Sequence, residues 1–167
     1  MLFVDDRAGS SDLVAPLLKM GLPVQEKRLK SGDVMFVGRG ENDAPLAIGV
    51  EHKRISDLVQ SLATERFQGH QLREMWKHFD RCWLIVEGDW QRDTQGRVTV
   101  WKSHKQRGRL KGAPDAITLL KQLLTLYTRG GIHIWMAPDR RASVDFLCAL
   151  YRFWTDVPLH EHTSHLA

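Results

Sequence analysis

The chain is poor in the features that define several broad protein classes. It has two cysteines, Cys82 and Cys148, each set in an apolar segment (RCWLIV and FLCALY) with no CxxC or Cys/His ligand spacing around it. Two buried free thiols are therefore expected, not a cysteine-held metal site. No apolar run approaches the roughly 20 residues that a membrane helix needs, so no membrane partner is expected. The opening MLFVDDRAGSS meets Asp5 and Asp6 after a short apolar run. It lacks both the basic start and the apolar stretch of a signal peptide. A cytoplasmic location is the expectation, or host cytoplasm for a viral source. Internal repeats and low-complexity stretches are also missing.

What is present suits one globular domain. The 167 residues are 43% apolar, enough for a real core. The domain is expected over 1–156, with a mobile polar tail over 157–167 that carries His160, His162 and His165. Net charge is +4, but it is unevenly placed. Between Asp89 and Gly112 lie seven Lys/Arg against two Asp, so that segment carries +5 and the remainder −1. A basic insertion of this kind points to a polyanionic partner.

The pattern of apolar residues gives the element order. LFVD reads as a short buried strand, and Ser10 or Ser11 can cap a helix bearing Leu13, Val14, Leu17 and Leu18 up to Gly21. Val24, Glu26 and Arg28 alternate, Val34 and Phe36 begin another strand, and LAIGVEHK resumes after the loop GRGENDAP. These three segments are expected to form an antiparallel meander. Two helices follow, one with Leu58, Val59 and Leu62, the other over 66–79 with Phe67, Leu72, Met75 and Trp76. CWLIVEG is a continuous apolar run, the mark of a strand buried on both faces. A hairpin is expected around DTQG, then a basic loop. A helix from Pro114 to Tyr127 has Ile117, Leu120 and Leu124 as its expected core stripe. IHIWMAP reads as another buried strand, with His133 a hydrogen-bonded core residue, and 143–154 as an aromatic-rich closing helix. The fold class is α/β, with a central mixed sheet and helices on both faces.

One constellation carries chemistry. Asp33 precedes a strand, and Glu51-His52-Lys53 lies on the next. Alternation puts Glu51 and Lys53 on one face and His52 on the other. With Asp33 on that same face, two carboxylates converge on one cation beside a lysine. Hard oxygen ligands suit Mg²⁺ or Mn²⁺. A bare D…ExK also occurs as an edge-strand salt bridge, so on spacing alone both readings stand.

The longer context narrows the choice. The segments SGDVMF, VEHKRISDLVQSL and RFQGHQLREM together resemble the nuclease domain of XPF-type structure-specific endonucleases and their archaeal Hef relatives. That family's signature is a Gly-Asp pair, then Glu-Arg-Lys with an Asp four residues later. Here these are Gly32-Asp33, Glu51-His52-Lys53 and Asp57. VDDR resembles the family's opening segment, WLIVEG its following strand, and residues 113–154 its closing helix–strand–helix.

The resemblance implies a restriction-endonuclease-like fold and a Mg²⁺- or Mn²⁺-dependent endonuclease that cuts DNA at flaps, forks or Holliday-type junctions. It implies Asp33, Glu51 and Asp5 as the metal-binding group, with the His52 backbone carbonyl as a further ligand. Lys53 is implied as the catalytic lysine and Asp57 as the last catalytic acid. Arg7, Arg66 and Gln71 are implied as supporting residues. It also implies a homodimer through the C-terminal helices, which fits the many large apolar groups at Leu147, Leu150, Tyr151, Phe153 and Trp154.

Three departures stand out. His52 replaces the family's Arg, Ala8 replaces its Glu after the first Arg, and no tandem helix-hairpin-helix module follows. The basic insertion, through Lys102, Lys105, Arg107, Arg109 and Lys111, is a candidate substitute for DNA grip, with Trp90 and Trp101 able to stack on unpaired bases. A solubilising loop whose tryptophans pack on the sheet is the other reading. Two further functions remain open: a non-catalytic DNA- or partner-binding module of the same fold, and a sequence-specific restriction-like nuclease.

Overall fold

The computed structural model describes residues 1–63, 72–103, 106–109 and 113–162. β1 (Leu2–Val4) is followed by a 3-10 turn at Ser11–Leu13 and by α1 (Val14–Lys19). β2 (Val24–Glu26), β3 (Val34–Arg39) and β4 (Pro45–Arg54) come next. α2 (Ile55–Ala63) starts directly from the end of β4, and α3 (Leu72–His78) leads into β5 (Arg81–Glu87). β6 (Trp90–Arg92), β7 (Val98–Ser103) and β8 (Gln106–Arg109) precede α4 (Ala116–Thr128), β9 (Ile132–Ala137) and α5 (Arg140–Thr155).

Six strands make the main sheet, in the order β2-β1-β3-β4-β5-β9. β1–β3 and β3–β4 pair antiparallel, whereas β4–β5 and β5–β9 pair parallel. Parallel neighbours need a crossover, and α4 supplies one from β5 to β9. Leu58, Leu62, Leu72, Met75 and Leu119 cover one face against Leu84 and Val86. Leu13, Leu17, Val144, Leu147 and Leu150 cover the other against Phe36, Val50 and Ile85. Leu84, Ile85 and Val86 are all fully buried, so β5 shows no alternation. Burying each such side chain contributes about 1.5–3 kcal/mol, and these two layers hold the sheet. Both cysteines are buried and free, and burial pushes the Cys82 thiol up to about 11.

Several elements differ from the sequence reading. The segment 24–28 does not join a meander with β3. β2 pairs parallel with β1 at the sheet edge instead, after the α1 crossover. Alternation reports which face a residue takes, not which strand lies beside it. On α4 the core-facing residues are Ala116, Leu119, Leu123 and Leu126. Ile117, Leu120 and Leu124 point outward, at 54%, 43% and 60% exposure. Two apolar stripes run along this helix, and periodicity alone could not choose between them. β9 is an edge strand with Trp135 and Met136 exposed, not a fully buried one. His133 stacks on Trp83, ring centroids 4.7 Å apart, and is only partly buried.

The insertion is more ordered than a hairpin and a loop. β6, β7 and β8 form a separate antiparallel sheet, with the β6–β7 turn at Asp93–Gly96. Residues 157–162, expected as part of a mobile tail, fold back on the domain. The His162 ring stacks on Phe153 at 4.0 Å, and Asn42 N donates to His160 Nδ1 at 3.2 Å. Among the described residues no helix is long and apolar enough to cross a membrane.

Candidate active site

The site begins with a glycine. Gly32 has a φ of +73°, and a Cβ there would sit 3.2 Å from the Val50 carbonyl oxygen. Only glycine takes both conditions without strain. The turn delivers Asp33 one residue before the pairing of Val34 with Val50, and so beside Glu51 on the neighbouring strand. Directly opposed residues of an antiparallel pair share a face. The Asp33 backbone is pinned on both sides: its N–H donates to Val50 O, and its carbonyl accepts from Asp5 N, each at 2.8 Å. The carboxylate is aimed as well. Oδ1 accepts from the Ser10 hydroxyl, and Oδ2 accepts from His52 N–H at 2.7 Å.

Glu51 is buried, with 6% of its surface exposed. Burial, followed by the charge of Asp33, pushes its carboxyl up to about 7, although Lys53 and Arg7 pull the other way. Lys53 Nζ lies 3.2 Å from Glu51 Oε1, so the two residues do share a face as alternation requires. A buried carboxylate pressed against a second one is a strained arrangement that a cation relieves.

The other acids divide into distinct roles. Asp5, expected in the metal-binding group, has both oxygens engaged. Oδ1 accepts from Leu29 N–H at 2.9 Å, and Oδ2 is paired with the Arg7 guanidinium. The side chain is 1% exposed and braces the loop before β3. Asp57 is exposed in the first turn of α2 and lines the same cleft as Asp33, Glu51 and Lys53. Arg66 and Gln71 lie outside the described residues. On the opposite face, His52 Nε2 meets Glu87 at 2.8 Å. The Ser143 hydroxyl also donates to Glu87, and Arg140 Nε lies 2.9 Å from it. Burial alone would raise this carboxyl, but the His52 and Ser143 hydrogen bonds and the charges of His52 and Arg140 lower it to about 2.

Two adjoining clefts of about 400 and about 500 Å³ flank the carboxylates. Both are lined by Asp33 and Glu51; the first adds Arg7 and Lys30, the second Lys53, Arg54 and Arg140. Among the described residues no group of three or more His, Cys, Asp or Glu side chains is arranged around one point as a metal cage. The donor set that is present suits a cation that takes one or two carboxylates and completes its shell with water and phosphate, as Mg²⁺ does. Ser10, Arg54 and Arg140 were not singled out as site residues from the sequence. Arg140 follows Pro138-Asp139 at the far end of the chain, and only the sheet order brings it to the cleft.

The predicted basic grip is partly legible. Arg109 is paired with Asp93 and donates to Gln95 at 2.9 Å, so it ties down the β6–β7 turn. Its guanidinium is committed to that turn rather than held ready for a phosphate. Trp101 is 51% exposed, whereas Val98 and Val100 of the same strand are buried. Lys105 and Lys111 lie outside the described residues.

The family model of the ERCC4 domain matches residues 4–150. The chain belongs to the ERCC4 domain family. This ERCC4 domain is an XPF-type nuclease domain of restriction-endonuclease-like fold. It is 32% identical over 87 residues to the crossover junction endonuclease MUS81 of Candida albicans, a match covering 50% of the chain and 14% of that protein. It superposes on XPF from Aeropyrum pernix with a TM-score of 0.65 and 22% identity, over 91% of this chain and 60% of that one. The same archaeal protein in complex with DNA matches at a TM-score of 0.63, over 90% and 64% of the two chains. The domain thus spans less than two thirds of the relatives it matches.

Proposed function

We propose that the chain is a divalent-metal-dependent endonuclease that hydrolyses DNA phosphodiester bonds at branched structures. The observation that carries this reading is the convergence of Asp33, buried Glu51 and Lys53 in one open cleft, from adjacent strands of one hairpin. Asp33, Glu51 and the His52 backbone carbonyl would hold Mg²⁺ or Mn²⁺. That ion would neutralise phosphate charge and make a bound water more acidic. Ser10 and the His52 N–H fix the rotamer of Asp33, and Asp5 with Arg7 braces the loop that carries it. Lys53, held by Glu51 in the absence of substrate, is placed to stabilise negative charge developing at the phosphorus. Asp57, which lines the same cleft, would accept a proton from water. Branched DNA as the substrate rests on the relatives, since one of them is named for crossover junctions.

The decisive experiment offers labelled linear duplex, flap, fork and four-way junction DNA with Mg²⁺, Mn²⁺ or EDTA, beside Asp33→Asn. Cutting of branched forms alone, abolished by EDTA and by the substitution, supports the proposal. Binding without cutting would replace it with a non-catalytic module, and cutting of linear duplex at one sequence with a restriction-like enzyme.

A homodimer belongs to the same reading. The surplus apolar groups of α5 are largely internal, since Leu147, Leu150 and Trp154 are buried. Phe153 of α5 is exposed, and most of the remaining exposed apolar surface at this end of the chain lies on α4, at Ile117, Leu120, Leu124 and Tyr127, and on β9 at Trp135 and Met136. A second copy of the chain would cover it.

A further inference from the structure

Arg140 has an ion-pair partner, but its Nε makes no aligned hydrogen bond. That nitrogen is buried and lies 2.9 Å from Glu87 Oε2. An arginine carries five N–H donors and accepts nothing, so a buried Nε without an aligned acceptor calls for an explanation. Its side chain is 30% exposed and lines the cleft that also holds Asp33, Glu51, Lys53 and Asp57. Arg54 lines that cleft as well, and both arginines border the adjoining groove toward Trp101.

The anchor itself is rigid. Glu87 ends β5, opposite Arg54 on one side and Ala137 on the other. It is held by His52 from β4 and by Ser143 from α5, at 2.8 and 2.9 Å. A carboxylate fixed from two elements fixes in turn the cation beside it. Three strand ends therefore converge on one arginine that lines the cleft.

We propose that Arg140 is a phosphate-binding residue of this nuclease site, positioned by Glu87, and that it grips a DNA backbone phosphate next to the scissile one. This rests on the reading of the cleft as a nuclease centre. Arginine suits the task because its planar fork engages two phosphate oxygens at once, which lysine cannot do.

The test measures binding of a fluorescent flap DNA in EDTA across salt concentrations, and cleavage in Mg²⁺ separately. Arg140→Gln should weaken binding roughly 10–100-fold at low salt. It should also lower the slope of log affinity against log salt by about one, the mark of one lost phosphate contact. Arg140→Lys should recover little of the cleavage rate, and Glu87→Gln should raise KM more than it lowers kcat. Arg141→Gln removes the same charge from an exposed neighbour outside the cleft and should leave the slope unchanged. An unaltered slope in Arg140→Gln, or an equal drop in Arg141→Gln, overturns the proposal. So does a loss of binding that merely tracks a lowered melting temperature. Wild-type protein that binds but never cuts would instead sink the nuclease reading, with the binding slope still deciding Arg140.

Discussion

Replacing Glu51 with Gln should make the metal-free protein more stable while abolishing its activity. The glutamate is 6% exposed and its carboxyl is held at about 7, against 4.5 for an ordinary glutamate, by burial and by Asp33. Between pH 4.5 and about 7 the folded protein keeps a proton that the unfolded chain has already released. Stability therefore falls as pH rises through that window, and levels off above it. At ~1.4 kcal/mol for each pH unit between the two values, the full loss is about 3 kcal/mol. Glutamine keeps the shape without the charge, so its stability has no such slope. Melts in EDTA should show the two proteins alike near pH 4.5 and the variant ahead by roughly 6–12 °C at pH 8, for a domain of this size. Adding Mg²⁺ should then stabilise the wild type and leave the variant unmoved. A gap that does not change with pH, or a wild type that is the more stable protein at pH 8 without metal, would refute the reasoning.

Lys53→Ala should lower the cleavage rate about 100–1,000-fold, the loss seen when one donor to a developing oxyanion is removed, with DNA affinity in EDTA nearly intact; a loss under tenfold would demote the lysine. Neutralising Lys102, Lys105 and Arg107 together should weaken flap binding and flatten its salt dependence, read by fluorescence anisotropy. Unchanged affinity and slope would remove the small sheet from DNA binding. Light scattering at micromolar concentration should give twice the chain mass, and Leu124→Glu, at a position 60% exposed, should return it to the mass of a folded monomer.

The arrangement of the candidate site was legible because it is local. Gly32-Asp33 and Glu51-x-Lys53 sit on one hairpin, where alternation fixes the facing of every side chain, and the β3–β4 register bears that geometry out. The mixed sheet and the helices on both faces followed from the same periodicities. Harder to see was anything set by distant pairing. The partnership of β2 with β1 depends on a crossover, and the orientation of α4 on a choice between two equally apolar stripes. The cluster of His52, Glu87, Ser143 and Arg140 joins three elements, with His52 and Ser143 91 positions apart, and no spacing rule reaches that far. Asp5 lines the cleft with Asp33 and Glu51, but its pairing with Arg7 and Leu29 was not visible in the spacing.

The small sheet is rooted, not tethered. Val98 and Val100 of β7 are sealed into the layer that also contains Ile55 and Leu58 of α2, while Trp101 between strand and solvent stays half bare. A nucleic acid strand drawn across that tryptophan would pull on a beam set into the wall of the domain. The separation between such a hold and the cutting centre is then a fixed gauge, and the offset of the nick from a branch point would be dictated by the architecture instead of by a swinging arm.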